Sequence, residues 1–235
     1  VYYESGGVLH SSAIRFEDAD HLFNLIVHLF SRGNRSISQS APVADVRLPD
    51  GSRANAVLPP VAPDGPILTI RRFTGIRLQM EALVKEGTLG ESQAAYLAKC
   101  VRGRQNLFIC GGTGTGKTTF LNILSSCIPQ GERVVTTEDS AELRIQGSPN
   151  LVRLEARTPG PDGTGEIGME DLVRTAMRLR PDRIIVGEVR GSEAAAMLQA
   201  LNTGHRGSLC TGHGNSCRDM LLRLAALAHT AAGLP

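Results

Sequence analysis

Residues 111 to 118 read Gly-Gly-Thr-Gly-Thr-Gly-Lys-Thr, the GxxxxGK[ST] spacing in which backbone N–H groups converge on a phosphate. In such a loop Gly112, Thr113, Gly114, Thr115, Gly116 and the following residues to Thr119 offer the amides. Lys117 has the length to reach β- and γ-phosphates, and the Thr118 hydroxyl suits Mg²⁺. The loop follows the apolar run Asn106 to Cys110 and precedes Phe120, Leu121 and Leu124 at helical spacing. Strand, loop and helix in that order give the motif its chemistry, because a helix N-terminus favours an anion. A glycine-rich turn of similar text is the competing reading, and every fixed position would have to match by chance in that context. The loop predicts binding of a nucleoside triphosphate with Mg²⁺.

A carboxylate that could act on the phosphates comes later. Arg183 to Val186 is an apolar strand-like run ending in Gly187-Glu188. In open α/β sheets ligands sit beyond the carboxyl ends of the strands, so Glu188 is expected to face the phosphates, orient water and help hold Mg²⁺. A solvated strand-end Glu, with Ser192 capping the next helix, is the plainer alternative. Glu138 and Asp139 end a second run, Val134 to Thr137; they could hold the metal through its water shell, Glu138 more than Asp139. Asp139 as a turn or helix cap is the ordinary alternative.

Two histidines, His205 and His213, flank a short strand-like stretch. His213, at the strand end, is read as a phosphate sensor with a catalytic role, and His205 as a second nucleotide contact. Four zinc ligands, His205, Cys210, His213 and Cys217, are a weaker reading because their spacing fits no standard finger or ribbon. Arg53, Arg71 and Arg72 lie near the start of the chain. Arg71 and Arg72, consecutive in an expected strand, should point to opposite faces. Arg178, Arg180 and Arg183 are expected to solvate a domain edge.

These residues need a scaffold. Over 235 residues, 41% hydrophobic and 20% charged, a buried core is expected. The net charge of +2 and an aromatic content of 4% without Trp give no footprint for nucleic acid. Five cysteines without a CxxC pair suit a reducing compartment. The first residue is Val1 rather than Met, the mark expected of a fragment.

Residues 1–75 carry a helical pattern over Asp18 to Phe30. Strand-like runs follow at Val43 to Leu48, Ala54 to Leu58 and Ile67 to Phe73, a small α+β module. Residues 76–103 read as two linking helices broken at Glu86-Gly87-Thr88. Over 104–235 strands (Arg133 to Thr137, Asp182 to Val186, Gly207 to Thr211) alternate with helices (Met169 to Leu179, Ser192 to Leu201, Ser216 to Ala231). That rhythm predicts an α/β fold with a mostly parallel sheet. Thr158 to Gly168 reads as a mobile surface insertion.

Together these stretches resemble the secretion ATPases of type II and type IV systems, most closely the CpaF-like ATPases of tight-adherence (Flp) pilus assembly. The matching text is LPDGSRANAVLPP (48–60), ILTIRRF (67–73), GGTGTGKTTFLN (111–122), TTEDSAEL (136–143), RLRPDRIIVGEVRGSEA (178–194) and NTGHRGSLCTGH (202–213). The resemblance implies a PAS-like N-terminal module, a RecA-like P-loop ATPase domain that here stops short, and a homo-hexameric ring. By motif, Glu188 falls in the Walker B box, Glu138 and Asp139 in the acidic box, and His205 and His213 in the histidine box. Arg53, Arg71 and Arg72 match the N-terminal arginines that approach phosphate at domain and subunit boundaries.

The resemblance also implies a cytoplasmic ATPase, held peripherally at the inner membrane by a pilus or secretion platform, without zinc or direct nucleic-acid contact. A conjugation-type type IV ATPase and a non-hydrolysing nucleotide switch are the alternatives. Two departures stand out: Gly187 where many P-loop enzymes place a metal-holding Asp, and Gly212 before His213 where the family has Leu.

Overall fold

In the computed structural model, residues 1–33, 35–72, 79–157, 159 and 164–231 are described. The chain forms two compact units, Val1–Ile76 and Arg77–Pro235.

The first unit opens with a hairpin, β1 (Tyr2–Ser5) and β2 (Val8–Ser11), that the sequence reading did not anticipate. Its turn is Gly6-Gly7 with φ of 60° and 79°, the double left-handed geometry a two-residue hairpin needs and glycine supplies without strain. Helix α1 (Ala19–Arg32) follows, its first turn capped by Asp18, whose carboxylate accepts the His21 N–H at 2.7 Å. Strands β3 (Val43–Arg47), β4 (Arg53–Val57) and β5 (Ile67–Arg71) form an antiparallel sheet in that order. Ile26 and Phe30 of α1 share a core with Val46, Ala54, Ala56 and Leu58. Burying Ile26 and Phe30, both fully excluded from solvent, contributes about 1.5–3 kcal/mol each.

The second unit holds a five-stranded, wholly parallel sheet. Its elements are α2 (Met80–Lys85), α3 (Glu91–Arg102), β6 (Leu107–Gly111), α4 (Lys117–Ser125), β7 (Val134–Glu138), β8 (Leu151–Glu155), α5 (Met169–Arg178), β9 (Arg183–Val189), α6 (Glu193–Asn202), β10 (Leu209–His213) and α7 (Cys217–Ala231). The strand order is β6-β10-β9-β7-β8. Runs such as Val134-Val135 and Ile184-Ile185-Val186 are apolar on both sides because both faces are covered. Leu121, Leu124, Val101, Ile185 and Leu209 pack together on the face of α3 and α4. Val173, Met197, Met220, Ile184 and Val186 pack on the face of α5, α6 and α7. Parallel strands put all carboxyl ends at one edge, so Gly111, His213, Val189 and Glu138 end together.

The expected α/β fold is present, with element ends shifted by a few residues. Both helices of the expected linker belong to the second unit, and β8 was not foreseen. Residues 158 and 160–163 of the glycine-rich insertion lie outside the described residues. At its base Arg157 and Ile167 exchange backbone hydrogen bonds of 2.9 Å each. Arg183 corrects the solvated-edge expectation: its side chain is 0% exposed. It donates to both Glu132 oxygens, at 2.5 and 3.3 Å, and to the carbonyls of Val101 and Gly207 at 2.8 and 3.2 Å. Buried guanidinium groups persist when paired in this way. Among the described residues no helix is long and apolar enough to cross a membrane.

Candidate active site

The phosphate loop joins β6 to α4. Gly114 and Gly116 have φ of 75° and 86°, the left-handed region that would strain any side chain. Gly116 begins α4 without a side-chain cap, so the first N–H groups of the helix keep their donors for an anion. Lys117 Nζ donates to Gly112 O at 2.7 Å and Thr115 Oγ1 to the same oxygen at 2.9 Å, which folds the lysine back across the loop.

Glu188 reaches this face of the sheet by an irregularity. Ile184 and Val186 pack on the α5–α6–α7 face, and strict alternation would send Glu188 the same way, opposite α4. The pairing of β9 with β10 slips instead: Cys210 lies opposite Val186, but Gly212 lies opposite Val189. Three steps in β9 match two in β10, a β-bulge at Gly187-Glu188. Val189 takes the buried place on the α5–α6–α7 face, and Glu188 turns to the α4 side. There His213, two alternations on from Leu209, brings Nε2 to 2.8 Å from Glu188 Oε1. Thr211 Oγ1 donates to Gly187 O at 2.6 Å and pins the bulge.

Glu138 sits beside it on the same face. A Cβ added at Gly187 would lie 3.0 Å from Glu138 Cγ, so the missing side chain makes room for this carboxylate. Glu138 is 3% exposed. Its Oε2 accepts the N–H groups of Glu142 and Leu143 at 2.6 and 2.7 Å, while Oε1 is buried without a hydrogen-bond partner among the described residues. Burial pushes the carboxyl above its ordinary value; the two N–H donors partly offset this, and Glu142 and Glu155 add repulsion. Glu188 Oε1 likewise lacks a partner of hydrogen-bond geometry, despite its close approach to His213. Buried oxygens left open in this way mark sites that hold something further.

Three contributors escaped the sequence reading. Arg190 pairs with Asp139 and lies 3.9 Å from Glu188; its only textual signal was a position two residues past the carboxylate. Asn122 of α4 accepts the Arg144 N–H at 2.8 Å, tying the phosphate helix to the acidic segment. Thr211 anchors the bulge. Asp139 is thus an ion-pair partner, with no helix starting at it.

Other expected residues are placed elsewhere. His205 precedes β10, at the sheet edge opposite the phosphate loop, with Nδ1 3.3 Å from Ala200 O; it does not join Glu188 and His213. The weaker zinc set is dispersed in the same way: Cys210 turns to α6, its Sγ 3.1 Å from Met197 Sδ, and burial pushes its thiol up to about 12. Arg53 and Arg71 belong to the first unit. They are register partners, and Arg47 is opposite Arg53, so three guanidinium groups form one cationic row on the sheet face turned from the α1 core. Strand β5 stops at Arg71, so the opposite-face expectation for Arg72 does not apply.

Comparison with known proteins places this arrangement. The model of the family described as type II/IV secretion system protein matches residues 2–234. A putative conjugal transfer protein of Mycobacterium tuberculosis is 39% identical over 97% of this chain, which spans 66% of that protein. The type IV secretion system protein PtlH of Bordetella pertussis is 34% identical, over 88% of this chain and 68% of its own length. The crystal structure of the VirB11 ATPase from the Brucella suis type IV secretion system, in complex with sulphate, is 27% identical. It aligns with a TM-score of 0.54 over 100% of this chain and 78% of that one. These findings carry the broad family and not its tight-adherence branch in particular.

Proposed function

The chain belongs to the type II/IV secretion system protein family, and from that membership we propose that it is a Mg²⁺-dependent ATPase powering transport of the type IV or conjugal-transfer kind. The observation that carries the reading is the bulge that turns Glu188 onto the face of the phosphate loop. The loop amides and Lys117 bind the triphosphate. Glu188 orients the attacking water and accepts its proton, the positioning on which phosphoryl transfer depends. His213 stands with Nε2 2.8 Å from Glu188 Oε1, placed to steady the carboxylate, and Arg190 links it to Asp139. The Thr118 hydroxyl, Glu138 and Glu188 would hold Mg²⁺ as all-oxygen donors, and the open Glu138 Oε1 supports that fit. When bound, the metal supplies neutralisation of phosphate charge.

The same reading has the protein working as a homo-hexamer in the cytoplasm against an inner-membrane platform. An arginine from the row Arg47, Arg53, Arg71 of a neighbouring subunit stabilises transition-state charge. A tight-adherence pilus motor would use this same core. The printed names of the relatives, conjugal transfer and type IV secretion, favour the other branch.

The test is steady-state phosphate release beside nucleotide binding. Glu188→Gln should lower turnover by about 10²–10⁴-fold and leave nucleotide affinity near its original value, whereas Lys117→Ala should lose binding itself. Turnover of Glu188→Gln close to that of the parent would remove Glu188 from the chemistry.

A further inference from the structure

Cys110 is the penultimate residue of β6, next to Gly111 where the glycine loop begins, and Cys217 is the first residue of α7. They are 107 positions apart in sequence, yet their Sγ atoms are 3.9 Å apart. Cys217 is exposed and Cys110 half-buried. None of the chemistry above uses either thiol. We propose that this pair is a redox modification site: a hydroperoxide converts it to a disulfide that clamps the phosphate loop to α7 and weakens nucleotide binding.

Accessibility sets the order of events. The Cys217 sulfur meets solvent and attacks a peroxide oxygen; the O–O bond breaks, an alcohol or water leaves, and Cys217 carries a sulfenic acid. The Cys110 sulfur then attacks the Cys217 sulfur. The S–O bond breaks, hydroxide leaves and takes up the Cys110 proton as water, and the S–S bond closes. Two thiols and one hydroperoxide give one disulfide, one alcohol and one water. Burial and the neighbouring Cys217 thiol push the Cys110 thiol up, which suits it to the second step rather than the first. Cys210 offers no competing partner, being buried against Met197.

The geometry says what the bridge would do. Sulfurs 3.9 Å apart must close to about 2.05 Å in a disulfide, so roughly 1.9 Å of closure is shared among side-chain rotation, the end of β6 and the start of α7. The α7 side has little slack. Gly111 is in register with His213, and a Cβ at Gly214 would already lie 3.1 Å from Met220 Cβ, so the turn into α7 is packed against the helix. A Cβ at Gly212 would meet the Phe108 ring at 2.8 Å and Met220 Cε at 3.0 Å, so the α7 side of this edge is filled as well. Movement is therefore passed to Gly111 and Gly112, where the lysine-bearing loop starts. A displacement near 1 Å at a reacting site costs about 10²-fold in rate, and a comparable displacement of the phosphate loop is expected to weaken nucleotide affinity by about tenfold or more.

The effect on turnover rests on the ATPase reading, whereas the bridge and its effect on nucleotide affinity do not. The full chain is treated with hydrogen peroxide, mapped by non-reducing peptide mass analysis, and titrated with a fluorescent ATP analogue before and after dithiothreitol. Expected are a linked Cys110–Cys217 peptide, affinity weakened at least tenfold, and recovery on reduction. Cys217→Ser, a change at an exposed position, should form no link and keep its affinity under peroxide. Oxidation that gives no such peptide, or a bridge that leaves affinity within twofold, overturns the proposal. A reduced protein that binds ATP but releases no phosphate refutes the ATPase reading alone, and the same two readouts still decide the switch.

Discussion

Gly187→Ala tests whether the bulge and the buried carboxylate are one device. The added Cβ would lie 3.0 Å from Glu138 Cγ, 3.6 Å from Glu138 Cβ and 3.5 Å from Thr137 O. Carbon atoms rest at about 3.5–4.0 Å, so Glu138 must retreat by roughly half an ångström. It cannot do so freely, because Oε2 is held by the Glu142 and Leu143 N–H groups at 2.6 and 2.7 Å. Overpacking of this kind costs about 1–3 kcal/mol, or roughly 2–12 °C in melting temperature for a domain of this size. If a 1 Å misplacement is worth about 10² in rate, half of that predicts about tenfold slower phosphate release. Calorimetry and phosphate-release kinetics read both numbers.

A double-mutant cycle decides the cause. Glu138→Ala removes Cγ, and in that background Gly187→Ala should cost less than about 0.5 kcal/mol. An unchanged penalty would refute the claim that Gly187 is small in order to admit Glu138.

Two further outcomes follow from the same geometry. Glu138→Gln keeps an acceptor for both N–H groups and removes a buried charge. The folded carboxyl lies above its ordinary value, so its ionised form destabilises the fold as pH rises past the unfolded value, and the cost is complete above the folded one. Glu138→Gln should therefore match or exceed parent stability at pH 7 in urea unfolding, while turnover falls by about 10²-fold, the lower end of the range for a lost acid–base group. Arg183→Met should destabilise by about 3–5 kcal/mol, since it leaves Glu132 without its principal partner. Burial opposes the Glu132 charge, but Arg183 and Arg104 outweigh it and hold that carboxyl below its ordinary value. Its stabilisation is present above the unfolded value of about 4.5 and is lost as pH falls through the folded one. The gap between parent and Arg183→Met in urea midpoint should thus narrow from pH 7 to pH 3.

Much of the site was legible because its causes are local. A glycine with positive φ, a lysine one residue later and an uncapped helix start lie within eight consecutive residues, and each depends on its immediate neighbours. Alternation of apolar runs with helical spacing likewise fixes a parallel sheet with both faces covered. The Gly6-Gly7 hairpin carries its own turn signal in the text. Strand β8 was harder to see, because Arg153 and Glu155 interrupt its apolar pattern.

The strand-end rule aimed Glu188 at the phosphates, but what the chain could not announce was how its side chain comes to that face. Read alone, the period of β9 sends it away from the phosphate loop. The extra residue that reverses it exists only in the register with β10, more than twenty positions later, and in the Thr211 hydrogen bond to Gly187. Arg183 looked like a surface charge until Glu132, Val101 and Gly207 closed around it. Cys110 and Cys217 became a pair only when β6 and α7 met. Conformation along the backbone is set by near neighbours and can be read from them. The face a side chain occupies, and the partner it meets there, is set by which strands lie side by side.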